Sequence, residues 1–153
     1  MGLWGRAGGA DHALKLHIVA RGRIGRCPEA DLIERYAKRM TWPLAVTELP
    51  DVGGKSPPVA PGTRIIALDE TGETLGSVQL AKKLESWRDG GAREARFLIG
   101  AADGLTPEDL ASADLKLSFG RLTWPHMLAR AMLAEQLYRA TAIIAGHPYH
   151  REG

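Results

Sequence analysis

The chain holds a single cysteine, Cys27, among its 153 residues. One thiol makes no internal disulfide and no cysteine-rich zinc site, so a reducing compartment suits it and a cytoplasmic location is expected. Cys27 stands just ahead of a run with helical character and reads as a small, partly buried thiol. Long apolar runs are also missing. No stretch approaches the length that spans a bilayer, and residues 1–13 (MGLWGRAGGADHA) contain no apolar core of a signal peptide. These residues are rich in Gly and Ala, lack periodicity, and read as a frayed extension ahead of one domain over 14–153. Aromatics are scarce at 6%, and Trp4, Trp42, Trp87 and Trp124 are too scattered to form a base-stacking series. There is no G-x-S-x-G elbow, which argues against a typical α/β-hydrolase. There is no G-x-G-x-x-G fingerprint and no Gly-Lys-Ser/Thr, so phosphate cradling is unsupported. The net charge is only +2, which permits a nucleic-acid partner without demanding one.

What is present suits a packed α/β domain. Hydrophobic residues make up 44% and charged residues 25%, ordinary proportions for a globular chain of this length. Residues 14–21 (LKLHIVAR) alternate as a strand. Residues 28–40 open on Pro28, carry acids early and Lys38 and Arg39 late, the charge order a helix dipole favours. Residues 44–50 read as a second strand. The Gly- and Pro-rich segment 51–62 can be neither helix nor central strand; it is a loop, either a plain connector or a mobile substrate loop carrying Lys55. Short apolar runs at 64–70, 95–101 and 115–120 are of buried-strand type. Helices are expected from Ser77 as N-cap to Gly90, from Thr106 with Pro107 in its first turn, and along 123–146. The last is the longest, with Leu128, Ala131, Met132, Leu137 and Ile144 marking its buried face and Gly146 ending it. Alternating strands and helices imply an α/β fold with a mainly parallel sheet and helices on both faces.

Ligands of such sheets sit beyond the C-terminal strand ends. Three ends stand out: Leu68-Asp69-Glu70, the segment LIGAADGL with Gly100 and Gly104, and SFGRLTWPH with Gly120 and Pro125. Adenine suits a pocket of this kind, because backbone groups match its edge while Leu68, Ile99 and Leu122 cover its face. His126, at the start of the last helix, reads equally as a capping residue and as a substrate contact. The chain ends in AGHPYHREG, which crowds His147, Tyr149, His150 and Arg151 together. The H-x-x-H spacing lacks the further ligands a metal needs, so no metal is expected. Glu135 and Arg139 are spaced as an i,i+4 salt bridge.

The blocks FLIGAADGL and LSFGRLTWPHMLARAMLAEQLYRATAIIAGHPYHRE resemble the bacterial ribosomal RNA large subunit methyltransferase H family, pseudouridine N3-methyltransferases of the SPOUT class. The resemblance runs from Leu14 to Glu152. It implies a C-terminal trefoil knot, S-adenosylmethionine as cofactor, a homodimer with the site near the subunit interface, and 23S rRNA on the ribosome as partner. By position, Leu68, Gly100, Ala101, Gly120, Arg121, Leu122, Thr123, Trp124 and Pro125 are expected around the cofactor. His126, Tyr149, His150 and Arg151 are expected to face the target base. Arg23, Arg26 and Lys55 are the candidate rRNA contacts. The chain departs from the family pattern in having Gly100-Ala101 in place of Gly-Gly, a shorter region after Lys55, and an N-terminal extension. The alternative is a non-enzymatic RNA-binding or ribosome-assembly factor that keeps the fold.

Overall fold

The computed structural model describes residues 13–151; the expected N-terminal extension, apart from Ala13, and Glu152 lie outside the described residues. Five strands form one sheet: β1 (Lys15–Arg21), β2 (Leu44–Leu49), β3 (Thr63–Glu73), β4 (Glu94–Ile99) and β5 (Leu115–Leu117). Their order is β2-β1-β4-β3-β5, and every pairing is parallel. Four helices connect or flank them: α1 (Pro28–Arg39), α2 (Ser77–Asp89), α3 (Pro107–Ser112) and α4 (His126–Ile144).

The period-2 pattern of the strands sorts their side chains onto two unlike faces. Leu16, Ile18, Ala20, Ile66, Phe97 and Ile99 enter one core with Leu80 and Leu84 of α2 and Leu133 and Leu137 of α4. The helix α1 lies outside that layer and packs Ile33 on Ala131 and Ala134 of α4. The long helix is therefore enclosed on several sides, which explains why its buried set includes Arg130, Ala134, Tyr138 and Thr141 as well as the expected Ala131 and Leu137, while Leu128, Met132 and Ile144 are half-buried. On the second face Val19, Ile65 and Leu98 meet Leu105 and Ala113, which flank α3. Much of the remainder of that face is polar and buried, with His17 and Arg96 at its centre.

Local signals account for most helix ends. Thr106 accepts the Asp109 N–H at 3.1 Å, and Cys27, half-buried, is the N-cap of α1. One expectation changes: Gly76, not Ser77, caps α2, with the Gly76 N–H donating to Gln79 Oε1 at 2.7 Å. Ser77 instead donates its hydroxyl to Gln136 Oε1 at 2.7 Å and ties α2 to α4. β5 is shorter than expected and β3 longer. Leu68 and Glu73 both register with Leu117, so residues 69–72 loop out of the ladder between them.

Candidate active site

The C-terminal ends of the three strands β4, β3 and β5 open into one cleft of about 420 Å³. Leu68 comes from β3 and Asp69 and Glu70 from the looped-out segment that follows it, Ile99 to Gly104 from the end of β4, and Leu117, Phe119 and Gly120 from the end of β5; Leu122, Thr123, Trp124, His126 and Ala129 close it from the segment before α4 and its first turn. Seven of the nine expected cofactor positions, Gly100 among them, thus line a single cavity, while Arg121 and Pro125 stand exposed in the same wall segment. Asp69, Glu70, Asp103 and Phe119, which fall within the three strand-end segments but carry no role of their own from sequence, also line it, as does Ala129, which lies outside those segments.

Each wall has a physical reason for its shape. At Gly100 the chain passes so close to the next turn that a Cβ would stand 2.3 Å from the Gly104 carbonyl carbon, closer than any side chain tolerates. Ala101 follows in a bridge with Gly104, whose N–H donates to the Ala101 carbonyl at 2.8 Å. On the β5 side, the buried Ser118 hydroxyl accepts the Gly120 N–H and donates to the Gly120 carbonyl, both at 3.0 Å, and so fixes the turn. Leu122 and Trp124 stay 73% and 39% exposed, an apolar wall facing open space. A mixed wall of this kind, apolar faces with backbone groups at strand ends, fits a nucleoside-bearing ligand. Among the described residues no group of His, Cys, Asp and Glu is placed to hold a metal ion.

The tail lies elsewhere. The helix α4 ends in a reversal: the Gly146 N–H donates to the Ile143 carbonyl at 3.1 Å and the His147 N–H to the Ala142 carbonyl at 2.8 Å. With Gly146 at φ 76°, this is the two-bond cap that glycine permits, and it turns the chain back along the helix. Tyr149 then donates its hydroxyl to Glu135 Oε2 at 2.8 Å and sets its ring edge-on against Tyr138, with centroids 4.7 Å apart. Burial, the bond to Glu135 and a bond with Tyr36 all push the Tyr149 phenol well above its usual range, so it remains a donor. Arg139 bridges Glu135 and donates to His150 Nδ1 at 3.0 Å. A guanidinium only donates, so Nδ1 accepts and the His150 lone pair there is already committed. Arg151 is exposed. Glu135 is nine positions along α4 from His126, about 13 Å at the helical rise. None of His147, Tyr149, His150 and Arg151 is among the residues that line the cleft with His126. Glu135 lines a second cavity, of about 510 Å³, that shares Leu117, Phe119 and Gly120 with the first.

The basic loop after β1 adjoins the cleft. A Cβ at Gly22 would stand 3.5 Å from the Met127 methyl and 3.2 Å from Asp51 Oδ1, so the start of the basic loop 22–26, the start of the Pro-rich loop and the first turn of α4 come together there. Arg130, 1% exposed, holds that junction together by donating to the Arg21 carbonyl at 3.2 Å and the Gly22 carbonyl at 3.0 Å.

In fold, the chain is similar to two solved structures. A probable methylase family protein from Haemophilus influenzae matches 92% of this chain and 71% of its own, with a TM-score of 0.56 at 11% identity. The SpoU methyltransferase AviRb from Streptomyces viridochromogenes, solved in complex with AdoMet, matches 88% of this chain and 59% of its own, with a TM-score of 0.50 at 13% identity. Residues 14–150 match the family described as "Predicted SPOUT methyltransferase", and the chain belongs to that family. Two similar proteins, each named ribosomal RNA large subunit methyltransferase H, come from Sphingopyxis alaskensis and Rhizorhabdus wittichii. They are 66% and 67% identical over 138 residues, covering 90% of this chain and 97% and 99% of theirs. A relative of the same name from Rhodospirillum centenum is 45% identical, and its alignment runs to 151 positions over the same 90% of this chain.

Proposed function

We propose that this methyltransferase uses S-adenosylmethionine to methylate N3 of a pseudouridine in 23S rRNA of the large ribosomal subunit, as a cytoplasmic homodimer whose C-terminal segment is knotted. The observation that carries the reading is the cleft, in which the expected cofactor positions converge on three strand ends in a chain about two-thirds identical to relatives named for ribosomal RNA methylation. When bound, the cofactor supplies a methyl group on a positively charged sulfur. Leu68, Ile99 and Leu122 offer faces for an adenine, and the backbone of residues 100–104 and 119–123 offers donors and acceptors for its edge. Asp69, Glu70 and Asp103 bring carboxylates to the same cleft, suited to hydroxyls and to a cation.

Methyl transfer forms one N–C bond and breaks one C–S bond in line, and N3 must give up its proton to a base. His126, which lines the cleft, is the candidate contact to the acceptor. Tyr149, held as a phenol, suits orientation of a base carbonyl. Arg151 is suited to charge developing on the flanking oxygens or to a phosphate. His150 is the candidate base, and to serve as one through Nδ1 it must leave Arg139. The distance between the tail and its own cleft favours a tail that completes the partner's site. Arg23, Arg26 and Lys55 supply the phosphate-facing rim.

Titration with S-adenosylmethionine, read as heat and as a thermal shift, tests the cofactor; uptake of labelled methyl by ribosomes lacking the modification tests the substrate. No heat and no thermal shift would favour the assembly-factor alternative. Label taken up by a small acceptor instead of ribosomes would also contradict the reading.

A further inference from the structure

Between β2 and β3 the chain crosses the sheet without a helix. Both strands are parallel, so residues 50–62 must return from the C-terminal end of the sheet to its N-terminal end. Two guanidiniums hold this strap by its backbone carbonyls. Arg21, at the end of β1, donates Nη1 to the Pro50 carbonyl at 3.0 Å and also to the Gly53 carbonyl. Arg96 of β4, with 3% of its side chain exposed, donates Nη1 to the Pro57 carbonyl at 2.7 Å and Nη2 to the Pro58 carbonyl at 2.9 Å.

The direction of the Arg96 fork is set from below. Its Nε meets Glu94 Oε2 at 2.8 Å, the same oxygen lies 2.8 Å from His17 Nδ1, and His17 Nε2 lies 2.7 Å from Thr47 Oγ1. This buried chain links β4, β1 and β2. Arginine alone offers donors in all three of the directions used, whereas a lysine is a point charge. Between the two clamps lie Gly54, Lys55 and Ser56, all exposed.

We infer that Arg96 is a positioning residue for the RNA substrate, holding the far end of the strap while Arg21, two residues before Arg23, holds Gly53, two residues before Lys55, so that Lys55 is kept near the basic loop of Arg23 and Arg26. The inference rests on the RNA reading above. A lysine on a free loop of this length would have to be ordered at the moment of binding; a strap clamped at both ends has that ordering done in advance.

The test uses Arg96→Lys, which keeps the buried positive charge beside Glu94 but loses the fork, and Pro57→Ala/Pro58→Ala, which loosens the strap without touching the buried residues. Trypsin cutting after Lys55 reads the clamp with no RNA present. In both variants cleavage is expected to speed up by about threefold or more, reflecting easier local opening. KM for ribosomes is expected to rise with kcat unchanged, and the salt slope of binding to fall by about 1. Adding Lys55→Ala to either variant then costs little more. If Arg96→Lys does not melt cooperatively, the proline variant carries the test. Unchanged cleavage, or faster cleavage with unchanged KM and salt slope, overturns the inference. Failure of the RNA reading is seen separately, as wild-type protein that transfers no methyl to ribosomes whatever trypsin reports.

Discussion

Arg130 and Glu48 meet at 2.6 Å although 82 positions separate them in the chain. The guanidinium is 1% exposed and the carboxylate 32%, and the same carboxylate accepts the Ile24 N–H at 2.8 Å. One buried arginine on α4 thereby fixes both the edge strand β2 and the basic loop after β1. Arg130→Met is expected to destabilise the fold by about 2–3 kcal/mol, less than breaking a wholly buried pair because Glu48 keeps part of its side chain in water. Denaturant unfolding measures this. A loss below about 0.5 kcal/mol, the range of an ordinary surface change, would contradict the role given to Arg130.

That pair also shows where sequence reading ends. Strands β1, β2 and β4 and helices α1 and α4 were legible because their periodicity and end signals are local: Pro28 and the charge order of α1, Gly146 after α4, Thr106 before α3. The contacts of Arg130, His17 and Arg96 were not, because their partners lie far away along the chain, and charged residues read as solvent-facing until the fold buries them. The wall of the cleft was legible through its glycine-bearing strand ends. Ser118, which pins the turn at Gly120, sits in a strand-like run and carries no signal of its own.

Gly100→Ala is expected to disturb the cleft more than any change at Ala101. Its methyl group would press on the Gly104 backbone, which has no side-chain rotamer to yield, at a cost of about 2–3 kcal/mol. Calorimetric titration should show cofactor affinity lost alongside a lower Tm. Unaltered affinity would mean that the Gly100–Gly104 turn does not shape the site.

The strap latch should be sensitive to acid. Burial raises the Glu94 carboxyl, but bonds from Arg96 and His17 outweigh it and hold the group below its ordinary value of 4.5. Glu48 is likewise lowered, with burial opposed by the Ile24 N–H and by Arg130. A carboxylate depressed in the folded state contributes stability that is full above its unfolded value and lost as pH falls through the folded one. Tm should therefore hold above about pH 4.5 and decline below it. Glu94→Gln should lower the plateau and flatten the decline. An equally steep decline in that variant would contradict the assignment.

The tail can be placed by mixing two inactive variants. If the tail of one subunit completes the cleft of the other, His126→Ala and a double Tyr149→Phe/His150→Ala chain should complement each other. Half of the dimers would be mixed, and each would hold one intact site, returning about a quarter of the wild-type rate. A tail acting on its own cleft would return none.

The central claim is that the chain moves a methyl group to N3 of a pseudouridine in 23S rRNA. It is tested most directly by giving it labelled S-adenosylmethionine and two ribosome preparations, one carrying the unmethylated pseudouridine and one carrying uridine there. The account predicts label in the 23S rRNA of the first, found by nucleoside mass spectrometry as N3-methylpseudouridine, and none in the second. Label absent from both, or equal in both, would contradict it.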